Sequence, residues 1–349
     1  MNFKLLEKLS TAFGPSGCED EVADIIKNEI GHFADEIITD ALGNFIAKIN
    51  GKTDKKMMLS AHMDEVGFMV RKTDDLGCIY FHTVGSISDG ALLSRRVTVK
   101  ASDGKKYAGV IDAKAIHSQS AKERKEYIPI DKMHINIGAS TKEEVDGLVS
   151  LGDFGVFDSD FVKFGNGFIK GKALDDRVGC AVMCEIIKKI KEENITPEYT
   201  LYFAFTTREE VGRSGAITAA EAVQPDFALI LECTAVADIP ETPAHKTVSK
   251  LGDGVALSLM DHSTVYRREV IEKMMSLAKD KNVKYQIKTL VSGGNDAGHI
   301  HKSAGGVRCA TLSVPSRYIH SACSVIHEDD YKSMLDFAYN ASLSKRLYN

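Results

Sequence analysis

Four apolar runs of strand length in this chain are each followed closely by acidic or imidazole side chains. His62 and Asp64 follow Met57-Met58-Leu59-Ser60-Ala61, and Glu209 and Glu210 follow the run from Tyr199 to Thr207. Glu232 closes Phe227-Ala228-Leu229-Ile230-Leu231. His320 ends the stretch Pro315-Ser316-Arg317-Tyr318-Ile319-His320, which follows the strand-like run from Val307 to Val314. Helical patterns alternate with these runs, from Asp176 to about Lys191 and from Val265 to Lys281. Such alternation builds an α/β sheet, and open sheets of this kind bind ligands outside the carboxyl ends of their strands. If the four strands run parallel, all these side chains meet at one rim. Asp175 and Asp176 open the helix after Leu174 and reach the same crevice.

The α/β rhythm is interrupted. From Gly67 to about Phe164 the texture becomes short alternating stretches, such as Arg96-Val97-Thr98-Val99-Lys100 and Tyr107-Ala108-Gly109-Val110-Ile111. The intervening Asp103-Gly104 is a hairpin signal, because a tight turn between strands needs residues that tolerate positive φ. Thr141-Lys142-Glu143-Glu144 has capping-box spacing and predicts a short helix. The expected fold is therefore a discontinuous α/β catalytic domain over residues 1–66 and 165–349, with an inserted, mostly β domain over residues 67–164. Near the start, Ser16-Gly17-Cys18-Glu19 also has capping-box spacing, ahead of Val22, Ile25, Ile26, Ile30 and Phe33 at helical intervals. The segment from Met1 to Phe13 reads as a short amphipathic helix without the apolar block of a signal peptide. Strands are expected over 44–49 and 56–61.

Two imidazoles and several carboxylates at one rim are a metal-binding composition that suits zinc, with cobalt or manganese as alternatives. Charge balance favours two ions. The carboxylates of Asp175, Glu210 and Glu232, with one hydroxide, neutralise two divalent cations, whereas a single ion leaves them crowded and underpaired. Glu209 is then free for proton transfer. Each piece alone has a plainer reading: His62-Met63-Asp64 as a locally bonded histidine, and Glu209-Glu210 or Asp175-Asp176 as solvated helix starts. Their joint position after successive strands is what points to a site.

Other features carry less. Ser292-Gly293-Gly294-Asn295-Asp296-Ala297-Gly298 lacks the Lys-Ser/Thr ending of a phosphate loop and reads as a substrate-facing loop. His299 and His301 read as surface residues, and Cys180, Cys184, Cys233 and Cys323 as small buried hydrophobes. With 44 Lys+Arg against 49 Asp+Glu, the net charge of −5 argues against a nucleic-acid partner. No run approaches the ~18 apolar residues of a membrane span. Seven cysteines at scattered spacings favour a reducing cytoplasm over a disulfide framework.

Five motifs in order, Gly14-Pro15-Ser16-Gly17, Ala61-His62-Met63-Asp64-Glu65-Val66-Gly67, Ala173-Leu174-Asp175-Asp176-Arg177, Glu209-Glu210-Val211-Gly212 and Arg317-Tyr318-Ile319-His320-Ser321, resemble the M42 family of metalloaminopeptidases. That family includes glutamyl and tetrahedral aminopeptidases and some members labelled endoglucanases. The resemblance implies a zinc-peptidase-like α/β/α domain with an inserted β domain, and hydrolysis of the N-terminal peptide bond of short peptides. It implies that His62, Asp175 and Glu232 hold one metal and that Asp175, Glu210 and His320 hold the other, with Asp175 bridging. Glu209 would be the general base, Asp64 would orient the His62 imidazole, and the Asp175–Asp176 peptide would be cis. Many members carry Asp where this chain has Glu232, which keeps the carboxylate on a longer arm. The insert would mediate homo-oligomerisation, with dimers as building units of a dodecamer. Acidic, basic and aliphatic preferences all occur on the scaffold, with the loop Val291 to His301 and the stretch Ala235 to Lys250 as expected contributors. Competing readings are a hydrolase of another bond (an N-acyl amide or a glycoside), a silent metal-binding scaffold, and a peptide-binding module.

Overall fold

The computed structural model describes residues 3–348, so that Met1, Asn2 and Asn349 of the expected domain ranges lie outside the described residues. The chain begins with α1 (Lys4–Thr11), α2 (Asp20–Ile30), β1 (Glu36–Thr39), β2 (Phe45–Ile49) and β3 (Thr53–His62). There follow β4 (Gly67–Thr73), β5 (Ile79–Val84), β6 (Arg96–Lys100), β7 (Lys106–Asp112), β8 (His134–Asn136), α3 (Lys142–Asp146) and β9 (Phe154–Phe157). Next come β10 (Val162–Phe164), β11 (Phe168–Gly171), α4 (Leu174–Glu192), β12 (Tyr199–Thr206), α5 (Ser214–Val223) and β13 (Phe227–Ala235). The chain closes with β14 (Val255–Ser258), α6 (Arg268–Asp280), β15 (Tyr285–Lys288), α7 (Ala297–Ile300), β16 (Arg308–Ser316), β17 (Ser324–His327) and α8 (Glu328–Ser342).

Eight strands form one mixed sheet in the order β1-β2-β12-β3-β13-β16-β14-β15. Its centre is parallel: β12, β3, β13 and β16 pair side by side in one direction. The central strands are buried on both faces, which is why they read as near-continuous apolar runs rather than as alternating ones. Adjacent residues of β3 show the two faces. Ala61 turns toward α4, while the Ser60 hydroxyl meets Asp296 at the start of α7. Gly179 makes the α4 side possible, because a Cβ there would stand 2.8 Å from that of Ala61. α8 joins α4 on this face, and α5 and α7 cover the other.

The six strands β4 to β9 close into an antiparallel barrel in the order β4-β5-β8-β7-β6-β9, with its own apolar core around Phe68, Phe81, Val97, Ile111, Ile135 and Phe157. The hairpin of β6 and β7 runs through Asp103-Gly104, with Gly104 at φ 86°. The Thr141 side chain accepts the Glu144 N–H and caps α3 as its spacing predicts. The other capping-box expectation fails. α2 starts at Asp20 without a side-chain cap, because Ser16 and Glu19 are both engaged elsewhere, as described below. The helix expected from Val265 begins at Arg268, since Val265 is held in a bridge to Met260.

Candidate metal-binding active site

The parallel register carries the proposed site residues to one rim. Thr206 of β12 pairs with His62 at the end of β3, and Glu232 pairs with Ser313 of β16. Glu232 lies inside β13 rather than closing it, because pairing with β16 continues to Ala235. Asp175 and Asp176 sit where α4 starts, at non-helical dihedrals and joined by a cis peptide. His320 stands in the turn between β16 and β17 at φ 58°, beyond the last strand residue Ser316.

Asp175 occupies the middle. Its Oδ1 lies 3.4 Å from His62 Nε2, and that nitrogen is also 3.3 Å from Glu232 Oε1. Its Oδ2 lies 3.2 Å from His320 Nε2, which is equally 3.2 Å from Glu210 Oε1. Thus one carboxylate faces two imidazole–carboxylate pairs through its two oxygens. His62, Asp64, Asp175, Glu209 and Glu232 are buried, while Glu210 and His320 are half-buried. Asp176, outside the expected ligand set, also comes close. His62, Asp176 and Glu232 offer ligand atoms within 4.8 Å of one another, as do His62, Asp175 and Glu210.

The charges of this cluster do not balance internally. Burial drives the Glu232 carboxyl well above the usual range and raises that of Glu210. Burial opposes ionisation of Asp175 as well, but His320 and His62 hold it far below the usual range. Burial should depress both imidazoles. Instead the carboxylates outweigh it, lifting His62 well above its ordinary value and His320 to about 11. Asp175 Oδ1 is buried and makes no hydrogen bond, an expensive state for a carboxylate oxygen unless a cation meets it. An orphaned carboxylate oxygen among N and O donors fits a hard or borderline divalent ion such as zinc, cobalt or manganese.

Around the donors lies a supporting set that the sequence only half exposes. Asp64 is fully buried. His62 Nδ1 stands 3.3 Å from Asp64 Oδ1 and 3.0 Å from its backbone oxygen. The Asp64 carboxylate also accepts the N–H groups of Glu209 at 3.0 Å and Glu210 at 3.1 Å, and the Ser16 hydroxyl donates to it at 2.5 Å. Glu19 Oε1 accepts the N–H groups of Gly17 at 2.8 Å and Arg208 at 3.1 Å. Three successive N–H groups of the 208–210 turn therefore end on two buried carboxylates. Arg208 itself is left-handed, with φ 58°. Arg213 Nε donates to Glu209 Oε1 at 2.6 Å. Burial, then Asp296 and Glu210, push the Glu209 carboxyl up to about 8 against the pull of His62 and Arg213.

The donors open onto a cavity of about 440 Å³. The loop residues Ser292 to Asn295 line it, in line with a substrate-facing role for that stretch. From the stretch 235–250 only Ala235 contributes to the lining. His262, Lys288 and Arg213 also line it; His262 and Lys288 follow none of the four conspicuous strands, and Arg213 stands a turn beyond Glu209 after β12. Asp296, in the loop read as substrate-facing, is buried and accepts the Thr206 hydroxyl at 2.7 Å. His299 and His301 are half-buried, and neither lines the cavity. Cys180, Cys184 and Cys233 are buried as expected, Cys323 is half-buried, and all seven cysteines are unpaired.

An α/β sheet that gathers carboxylates and imidazoles at the carboxyl ends of its parallel strands, with a closed β-barrel in the same chain, defines an α/β protein with groups able to hold metal ions. The model of the M42 glutamyl aminopeptidase family matches residues 43–337, and the chain belongs to that family. An Acetivibrio thermocellus protein that bears an aminopeptidase name is 38% identical over 97% of this chain and 98% of its own. The TET aminopeptidase from the marine sediment archaeon Thaumarchaeota archaeon SCGC AB-539-E09 superposes with a TM-score of 0.95 at 34% identity, covering 98% of this chain and 96% of its own. The Pyrococcus horikoshii TET1 peptidase, which can assemble into a tetrahedron or a large octahedral shell, superposes with a TM-score of 0.89 at 32% identity, covering 98% of this chain and 99% of its own. Among the described residues no helix is long and apolar enough to cross a membrane.

Proposed function

We propose that this peptidase is a dinuclear metal-dependent aminopeptidase that removes the N-terminal residue of short peptides. The observation that carries the reading is the double-faced position of Asp175, with His62 and Glu232 on one side and His320 and Glu210 on the other. On this reading His62, Asp175 and Glu232 hold one ion, Asp175, Glu210 and His320 hold the second, and zinc, cobalt or manganese suits the donors. Such ions, when bound, lower the pKa of a water toward neutrality and polarise the scissile carbonyl.

The chain's own residues do the rest. Glu209 takes the proton of the attacking water and returns it to the leaving amine. Arg213 engages only its Oε1, which leaves Oε2 for the transfer. Asp64 fixes the tautomer and orientation of His62 and, through the N–H of Glu209, the backbone that carries the base.

Residues 67–164 act as an inserted domain for assembly into a homo-oligomer, with dimers as units of a dodecamer. Support comes from the barrel's separate core, from the apolar Val110, Ile116 and Tyr127 exposed on it, and from the assemblies of the Pyrococcus horikoshii relative. Unpaired cysteines support a cytoplasmic setting. The reading is tested with a tripeptide and its N-acetylated form, assayed on chelated protein and after zinc or cobalt is returned. Cleavage of the free peptide alone, only after metal is restored, is the expected result. Equal cleavage of both forms would rule out the exopeptidase reading.

A further inference from the structure

The family does not decide which N-terminal residue is preferred, because acidic, basic and aliphatic preferences occur on the scaffold. The charges in this chain's own cavity narrow the choice. Lys288, the last residue of β15, lines the cavity yet is only 6% exposed. Its Nζ donates one hydrogen bond, to the backbone oxygen of Ser292 at 2.7 Å. An ammonium has three donors. Among the described residues no carboxylate pairs directly with this one.

The neighbouring acids are committed elsewhere. Asp261 accepts the N–H groups of Ser263 and Thr264, the Tyr266 hydroxyl and the Asn295 amide. Glu232 faces His62 in the proposed metal set. Burial lowers the pKa of Lys288, while the charges of Asp261 and Glu232 draw it back up. A buried ammonium without its own counter-ion is an unfavourable arrangement for stability alone, and one that a ligand carboxylate relieves.

Its place in the sheet suits that task. β14 runs antiparallel to β16, so its pairing from Ala256–Ser313 to Leu257–Leu312 leads away from the rim. Ser258, one step further in, pairs with Lys288. Three strand spacings, about 14 Å, separate β15 from β13, which carries Glu232. Lys288 thus stands to one side of the proposed metal donors and deeper than their rim. A group projecting from a bound peptide would meet it there.

Resting on the aminopeptidase reading above, we propose that Lys288 is the specificity residue that anchors a carboxylate of the peptide substrate. That carboxylate is borne by an acidic N-terminal side chain or by the C-terminus of a dipeptide. The two sources share one chemistry and are separated by two substrate pairs. Glutamyl- and glutaminyl-p-nitroanilide differ only in a side-chain carboxylate, and leucylglycine and leucylglycinamide only in a terminal one.

The experiment measures kcat/KM for all four on metal-loaded wild type, Lys288→Met and Lys288→Arg. The wild type should favour the carboxylate-bearing member of one pair by roughly 100-fold, and that pair identifies the source. Lys288→Met, which keeps the volume, should bring the ratio close to one, and Lys288→Arg should retain a preference. A ratio that survives in Lys288→Met, or that is absent from the wild type, overturns the proposal. Titration calorimetry with L-glutamate and L-glutamine supplies a readout that does not need turnover. Lys288-dependent glutamate binding without hydrolysis of any substrate would contradict the aminopeptidase reading and support the anchor. Hydrolysis of all four without a Lys288-dependent preference would contradict the anchor alone.

Discussion

Asp64 accepts the backbone N–H of Glu209 at 3.0 Å. The residue that orients the His62 imidazole therefore also fixes the chain that carries the proposed base. Coupling the two through one buried carboxylate means that a change at Asp64 is felt on both sides. Burial would raise its pKa, but His62, Ser16 and the Glu209 N–H together hold it below the usual carboxylate range. Asp64→Asn keeps the shape and removes the charge. Metal affinity should fall about 10- to 100-fold and kcat should fall with it even at saturating metal. A chelator-competition titration run beside steady-state assays checks both, and wild-type values for either would show that this support is dispensable.

Removing the metal should loosen the fold. The site presents three proposed ligand carboxylates with only two imidazoles between them, so bound cations favour the native state by linkage. The melting temperature should drop on chelation and recover when zinc or cobalt is returned. Elemental analysis of the reloaded protein should give about two equivalents per chain. A melting curve indifferent to chelator would speak against a resident metal centre.

Glu19 supplies a pH dependence with a definite sign. Burial, then the charge of Asp64, raises its carboxyl from 4.5 to about 7, against the N–H groups of Gly17 and Arg208. A carboxyl whose folded pKa is raised binds more protons in the folded state. Its stabilising contribution is full below the unfolded pKa and is lost as pH rises through the folded one. Glu19→Gln cannot ionise. Between about pH 5 and about pH 8 its melting temperature should therefore rise relative to that of the wild type. A difference that stays constant across this window would mean that Glu19 does not titrate there.

Gly179 tests the geometry beneath the donors. A Cβ at this position would stand 2.5 Å from Asp176 Oδ2 and 2.8 Å from the Ala61 Cβ. Gly179→Ala must push α4 away from β3 and displace the Asp175–Asp176 segment. We expect a loss of about 1–3 kcal/mol in stability and weaker metal binding. Chemical unfolding and metal titration would show whether the two losses occur together.

The sequence reveals most where signals are local. Asp103-Gly104 between alternating runs marks the β6–β7 hairpin, and Thr141 caps α3, because both features are decided within a few residues. The rim of the sheet is legible for a similar reason, since each strand is followed by its own polar residues. Ser16-Gly17-Cys18-Glu19 shows where such reading stops. Its spacing is that of a local cap, but Ser16 bonds to Asp64 and Glu19 reaches Arg208, partners far away in sequence. Lys288 is hidden for another reason: only the sheet order, which places β15 beyond β14 and β16, brings that strand end to the cavity. Asp296 likewise becomes meaningful only when the fold sets it against Ser60 and Thr206.

On the proposed mechanism Glu209 moves the proton without holding the metal. Glu209→Gln keeps the side chain's size and an oxygen for Arg213 while removing the base. The decisive measurement is turnover and bound metal on the same preparation of this variant. The mechanism predicts a full complement of metal with kcat lowered by several orders of magnitude, about 10³-fold or more. Turnover at the wild-type level with metal in place would contradict it.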